Sequence, residues 1–83
     1  MESQYLDDLV RDAERIYNLR LRAQLESGHR DEFVAIEPVS GDYFLGRTLS
    51  EALGSARAAH PDRLSHAIRV GHQTALHFGV NLS

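Results

Sequence analysis

Two short apolar runs, Phe33-Val34-Ala35-Ile36 and Tyr43-Phe44-Leu45, stand on either side of Ser40-Gly41-Asp42. Both runs suit a pleated, half-buried surface, and the connector carries turn chemistry with a glycine free to take positive φ. This predicts an antiparallel hairpin over 32–47. Pro38 has no amide proton, so the first strand loses pairing on one side there. The hairpin feeds directly into Thr48-Leu49-Ser50-Glu51, a capping box. In that motif the Thr48 hydroxyl accepts from the N–H of Glu51, and the Glu51 carboxylate reaches back to the N–H of Thr48. Leu49, Ala52, Leu53, Ala56 and Ala59 then recur at helical spacing, and Pro61 disfavours helical geometry at His60. A helix over 49–60 is expected. A hairpin joined to a capped helix commits the chain to the α+β class.

The flanks complete that class. Leu6, Leu9, Val10, Ala13, Ile16 and Tyr17 form one apolar stripe, continued with some drift by Leu21 and Leu25 and edged by Tyr5 and Leu19. They predict a long helix over 3–27, with Ser3 as its N-cap and Gly28 as its stop. Glu2, Asp7 and Asp8 near its start and Arg20 and Arg22 near its end suit the helix dipole. Leu64, His66, Ile68 and Val70 alternate with polar or small residues, which predicts a strand over 64–70. Residues 74–78 fit either a further strand, with Thr74, Leu76 and Phe78 on one face, or a helical turn with Ala75 and Phe78 inward, and the strand is the one expected. The expectation is one domain over 1–83: a long N-terminal helix, a hairpin, a second helix, and one or two more strands of a small antiparallel sheet. Helices on one face of that sheet are the simplest closed arrangement.

Composition removes several functions. With 42% hydrophobic and 25% charged residues the chain is in the globular range. There is no cysteine, which excludes disulfide and thiolate chemistry and fits a cytoplasmic setting. Glu2, Asp7 and Asp8 stand where a signal peptide would carry positive charge. No apolar stretch approaches the roughly 20 residues of a membrane span. Formal net charge is -3, and all nine basic residues are arginine. An acidic chain is a poor general nucleic-acid binder, because backbone affinity comes from neutralising phosphates.

Catalytic sets are hard to assemble. The histidines His29, His60, His66, His72 and His77 lack the i, i+4 spacing of a helical two-histidine ligand pair, and zinc needs three or four convergent ligands. His66 and His72 share strand parity, but Gly71 intervenes. Ser40, Ser50, Ser55 and Ser65 fall in turns, caps and solvent faces, and no Gly-x-Ser-x-Gly elbow exists. The adjacent pairs Asp7-Asp8 and Asp31-Glu32 are poorly placed to converge on one substrate atom. Single, scattered glycines make no phosphate loop. A non-enzymatic protein is expected, with no catalytic residues, no cofactor and no metal.

Binding remains. Arg11, Arg15 and Arg22 lie along one side of the first helix, where nucleic acid could use them with Arg69. Asp12, Glu14 and Glu26 interrupt that row, so a solvated face of mixed charge is the plainer reading. The apolar stripe says more: it is longer than a small sheet can cover. It points to a partner protein or to self-association through Leu6, Leu9, Val10, Ala13, Ile16 and Tyr17, flanked by Arg11 and Arg15.

Several motifs together resemble a family of small uncharacterised bacterial α+β proteins. They are Leu25-Glu26, the Phe33–Ile36 strand, the Ser40–Tyr43 turn, the Gly46–Ala52 helix start, the His60–Asp62 stop and the Arg69–Gly71 strand end. That resemblance implies a toxin–antitoxin or regulatory setting and brings no activity. More narrowly, the Phe-Val-Ala-Ile strand, hairpin and Gly-x-Thr-x-x-Glu-Ala-Leu start are similar to the core of HicB-type antitoxins. These neutralise a small RNA-cleaving toxin and often carry a DNA-binding segment. The chain departs from that family in opening with a long helix and in lacking a helix-turn-helix or ribbon-helix segment after the core.

Overall fold

In a computed structural model the structure describes residues 2–72. The first helix runs as α1 (Glu2–Ile16), a π-helical segment (Tyr17–Leu21) and α2 (Arg22–Gly28). Then come β1 (Phe33–Glu37), β2 (Asp42–Gly46), α3 (Leu49–Ala59) and β3 (His66–Arg69). The expected strand at 74–78 lies outside the described residues. The protein is α+β, with a long N-terminal helix, a three-stranded antiparallel sheet and a second helix. Helix 1 begins at Glu2, which places Ser3 inside the first turn rather than at a cap.

The π segment resolves the drift in the apolar stripe. At 3.6 residues per turn, a step of four residues overshoots by about 40°, so three steps drift by about 120°. Ala13, Tyr17, Leu21 and Leu25 are spaced in three such steps, yet none is more than 4% exposed. Arg22 donates its N–H to the Tyr17 carbonyl, five residues back, which widens the turn and restores the row. All four side chains then sit over the same sheet face, on Val34, Ile36, Ile68 and Val70.

The sheet order is β2-β1-β3. β1 pairs antiparallel with both neighbours: Phe33 opposes Gly46 and Arg69, and Ile36 opposes Tyr43 and His66. The chain passes from β2 to β3 through α3, across the central strand. α3 therefore covers the face opposite the long helix. Ala35, Ala52 and Ala56 form the contact there, with Phe33, Phe44 and Leu53 packed against it. Helices on both faces correct the one-sided arrangement expected from the sequence. The reason lies in β1, where both parities are apolar: Val34 and Ile36 face the long helix, while Phe33 and Ala35 face α3. Alanine at three contact positions lets α3 approach closely.

The turns follow their residues. Gly41 takes φ +81° in the hairpin. Asp31 takes φ +76°, a left-handed geometry unusual for a side-chain-bearing residue, where the chain reverses from α2 into β1. At the start of α3 the Glu51 N–H donates to the Thr48 hydroxyl at 3.1 Å. The Glu51 carboxylate accepts from the N–H of Arg47 at 2.9 Å, one residue earlier than the capping box predicts.

Candidate interaction surface

The long helix runs antiparallel to β1, so its N-terminal half reaches past the end of the strand at Glu37. A cleft of about 210 Å³ opens there, between α1, the turn after β1 and the segment before β3. Tyr5, Leu9, Pro38, Val39 and Leu64 supply its apolar lining. Asp8, Asp12, Asp62, Glu37 and Arg63 supply its polar lining. Large apolar side chains remain exposed at this end: Tyr5 (59%), Leu6 (47%), Val39 (75%) and Leu64 (50%). Among the described residues only Leu19 and Leu49 of that size are comparably exposed elsewhere.

A buried carboxylate holds the cleft's floor. The Glu37 side chain is fully buried, sharing strand parity with Phe33 and Ala35. It accepts from the N–H of Val39 at 3.0 Å and of Ser40 at 2.9 Å, and from the Arg63 guanidinium at 3.4 Å. Burial pushes its carboxyl up, but the bonds from Ser40, Val39 and Arg63 outweigh burial and hold it at about 2. The anion thus ties the Pro38-Val39 turn to the segment before β3 and presents Val39 outward. The apolar run Phe33–Ile36 stops one residue short of Glu37, which the structure includes in β1. The available signal was its parity with Ala35 and the short Ser40-Gly41 turn behind it.

The residues expected to bind a partner divide into two groups. Ala13 and Tyr17 are core residues, 0% and 4% exposed, and Ile16 packs against the same core. The Tyr17 hydroxyl is engaged with Glu26 at 3.1 Å and accepts from the Gly71 N–H at 3.4 Å. Leu6, Leu9 and Val10 belong to the overhanging half: Leu6 is exposed and the other two are half-buried. Arg11 and Arg15 are exposed on the same helix, with Arg11 paired to Asp8. Tyr5, at the edge of the stripe, is joined by Val39 and Leu64, which helical spacing does not connect because they come from the turn after β1 and the segment before β3.

The titratable groups do not converge. His60 Nε2 lies 2.8 Å from Asp42 Oδ2 and 3.4 Å from Ser40 Oγ. A nucleophilic relay needs the serine and the carboxylate on different ring nitrogens, and here one nitrogen faces both. The Ser40 hydroxyl also accepts from the Asp42 N–H at 3.1 Å, so the group fastens the hairpin turn to the end of α3. His29 meets Glu32 at 3.1 Å and His72 meets Asp31 at 2.6 Å, both at the opposite end of the sheet. His66 lies under the long helix with its Nε2 buried and without a hydrogen-bond partner among the described residues. Burial lowers its pKa, and Glu14 partly opposes that. Among the described residues no three histidine or acidic side chains are grouped as a metal site requires. His77 lies outside the described residues.

Of the arginines expected to serve a nucleic-acid role, Arg11, Arg22 and Arg69 have local partners, and Arg15 is exposed on α1. Arg22 donates to Glu26 at 3.2 Å, and Arg69 lies over the Phe33 ring at 5.7 Å. No protein-family model, curated protein or solved structure matches the chain. No helix among the described residues is long and apolar enough to cross a membrane.

Proposed function

We propose that the protein is a small, non-enzymatic interaction module that binds a partner protein, or a second copy of itself, through the overhanging half of α1. The observation that carries this reading is the clustering of Tyr5, Val39 and Leu64, all at least 50% exposed, around one cleft, with Leu6 exposed on the same half of α1. Exposed apolar patches of this kind mark contact sites on small proteins. The C-terminal part of the stripe builds the core and accounts for itself. In the N-terminal part Leu9 and Val10 are half-buried, whereas Tyr5 and Leu6 stay exposed and contribute little to the core. The antitoxin-like or regulatory setting implied by the resemblances is compatible with a module that acts by covering a partner, and the cysteine-free composition supports a cytoplasmic one.

A nucleic-acid role is the weaker reading, since Asp8, Asp12 and Asp62 line the exposed surface and would repel phosphates. The test is photo-crosslinking in the producing cells. A photoreactive side chain in place of Leu6 is expected to give discrete protein adducts. One in place of Leu49, which is 47% exposed like Leu6 but sits on α3, is expected to give none. Adducts absent at Leu6, or equal at both sites, would contradict the reading.

A further inference from the structure

We infer that the occupant of the α1 cleft is a short basic, apolar segment of a partner protein, with one or two apolar side chains in the cleft and Arg or Lys against its rim. The inference rests on the interaction reading above and specifies the partner's chemistry. The cleft measures about 210 Å³, below the roughly 300–1,000 Å³ of small-molecule sites, and its lining is half apolar side chains from two sides. That is the scale of a pocket for anchoring side chains, not for a cofactor or a folded domain.

The rim sets the sign of the partner's charge. Glu37 is already neutralised by Arg63, and Asp8 is engaged by Arg11. Asp12 and Asp62 are exposed, and neither makes a hydrogen bond or ion pair among the described residues. Helix stability does not account for them. Asp12 lies past the first turn of α1, where the dipole no longer rewards a carboxylate, and Asp62 follows the C-terminus of α3, where the dipole opposes one. Two exposed carboxylates without an ionic partner, Asp12 on α1 and Asp62 in the turn after α3, therefore line the cleft beside its apolar side chains, and they complement a cation next to an apolar anchor.

The same charges exclude the other occupants. A second copy docked cleft to cleft by twofold symmetry would bring the unpaired Asp12 and Asp62 carboxylates of both copies into one interface, where like charges repel. Anionic membrane surfaces and nucleic-acid backbones would meet the same repulsion.

The test uses two synthetic amphipathic peptides of equal length, both with leucines at i, i+3 and i+7. One carries arginine at the intervening polar positions, the other glutamate. Binding to the full chain is followed by fluorescence anisotropy, and the contact residues by amide chemical-shift changes. The arginine peptide is expected to bind and to shift Leu9, Val39 and Leu64, with affinity falling as salt rises; the glutamate peptide is expected not to bind. Asp12→Asn and Asp62→Asn should each weaken the arginine peptide by about two- to fivefold, as exposed charge pairs do. Val39→Asn, at an exposed tip that leaves the core untouched, should weaken it as well by putting a neutral polar group at the anchor site. Equal binding of both peptides, or arginine-peptide affinity unchanged in both asparagine variants, would overturn the inference. The reading of α1 as an interaction surface would still stand or fall on the Leu6 crosslinks. Arginine-peptide shifts mapping to the opposite end of the sheet would also overturn it.

Discussion

Replacing Glu37 by glutamine keeps the shape of the side chain and removes its charge. The native carboxylate is fully buried, takes two backbone N–H groups and faces Arg63 at 3.4 Å. Its carboxyl is held at about 2 against an ordinary 4.5. At 1.36 kcal/mol per pKa unit, that separation corresponds to roughly 3 kcal/mol of preference for the anion in the folded chain. The Arg63 side chain is 47% exposed, and solvent screening discounts its share. Glutamine also turns an amide N–H₂ toward one of the donors. A loss of about 2 kcal/mol at neutral pH is expected, measured by urea unfolding with the slope unchanged. The sign with pH follows from the depressed value. The unfolded chain holds the proton more tightly, so the stabilisation is fully present above about pH 4.5 and is lost as pH falls toward about 2. The gap between wild type and Glu37→Gln should therefore narrow by roughly 1 kcal/mol at about pH 3.5. A gap of the same size at both pH values would refute the charged-anchor reasoning, and no loss at neutral pH would refute the anchor itself.

His66 gives the opposite part of the pH scale. Burial lowers its pKa from 6.5, so the neutral ring is the folded form, and its contribution is present above about pH 6.5 and lost as pH falls through the lowered value. His66→Leu also removes a buried, unpartnered Nε2; it should raise stability by about 1 kcal/mol at neutral pH and flatten the stability profile between pH 5 and 7, as read by thermal unfolding across that range. A Cβ added at Gly46 would lie 2.6 Å from the Ala52 nitrogen and 2.8 Å from the Glu51 Cβ. Gly46→Ala should therefore cost about 2 kcal/mol, whereas Gly54→Ala, in α3 with nothing within 4 Å, should gain about 0.5–1 kcal/mol by helix propensity. Calorimetry on the pair checks both signs.

The elements of the chain were legible because local chemistry and period agree in them. The hairpin residues carry both the strand pattern and the turn glycine, and Thr48 with Glu51 marks the start of α3. The layering was not legible in the same way. A continuous apolar strand such as Phe33–Ile36 implies cover on both faces, yet periodicity alone does not say which helix takes which. The row Ala13, Tyr17, Leu21 and Leu25 carried a sharper clue. Perfect four-residue spacing does not fit a regular α-helix, and the π segment is how the chain accommodates it. At the cleft, Leu6, Leu9 and Val10 were legible as overhang from the length of the stripe. Val39 was not, because an isolated apolar residue in a turn has no period, and Leu64 belongs to an alternation over 64–70 that the structure begins as a strand only at His66. The burial of Glu37 was half legible: its parity with Ala35 puts it on the α3 face, but only the fold reveals that the next turn closes over it.

The central claim is that the overhanging end of α1 serves association and not folding. Leu6→Glu and Leu49→Glu change residues of equal exposure, 47% each, on different helices. The decisive measurement is the size of the native species that contains the protein in extracts of the producing cells, taken beside its unfolding free energy after purification. Leu6→Glu is expected to collapse the native species to the free chain while changing stability by no more than about 0.5 kcal/mol. Leu49→Glu is expected to leave the species intact. A native species unchanged by Leu6→Glu, or a stability loss from that substitution as large as one in the core, would contradict the claim.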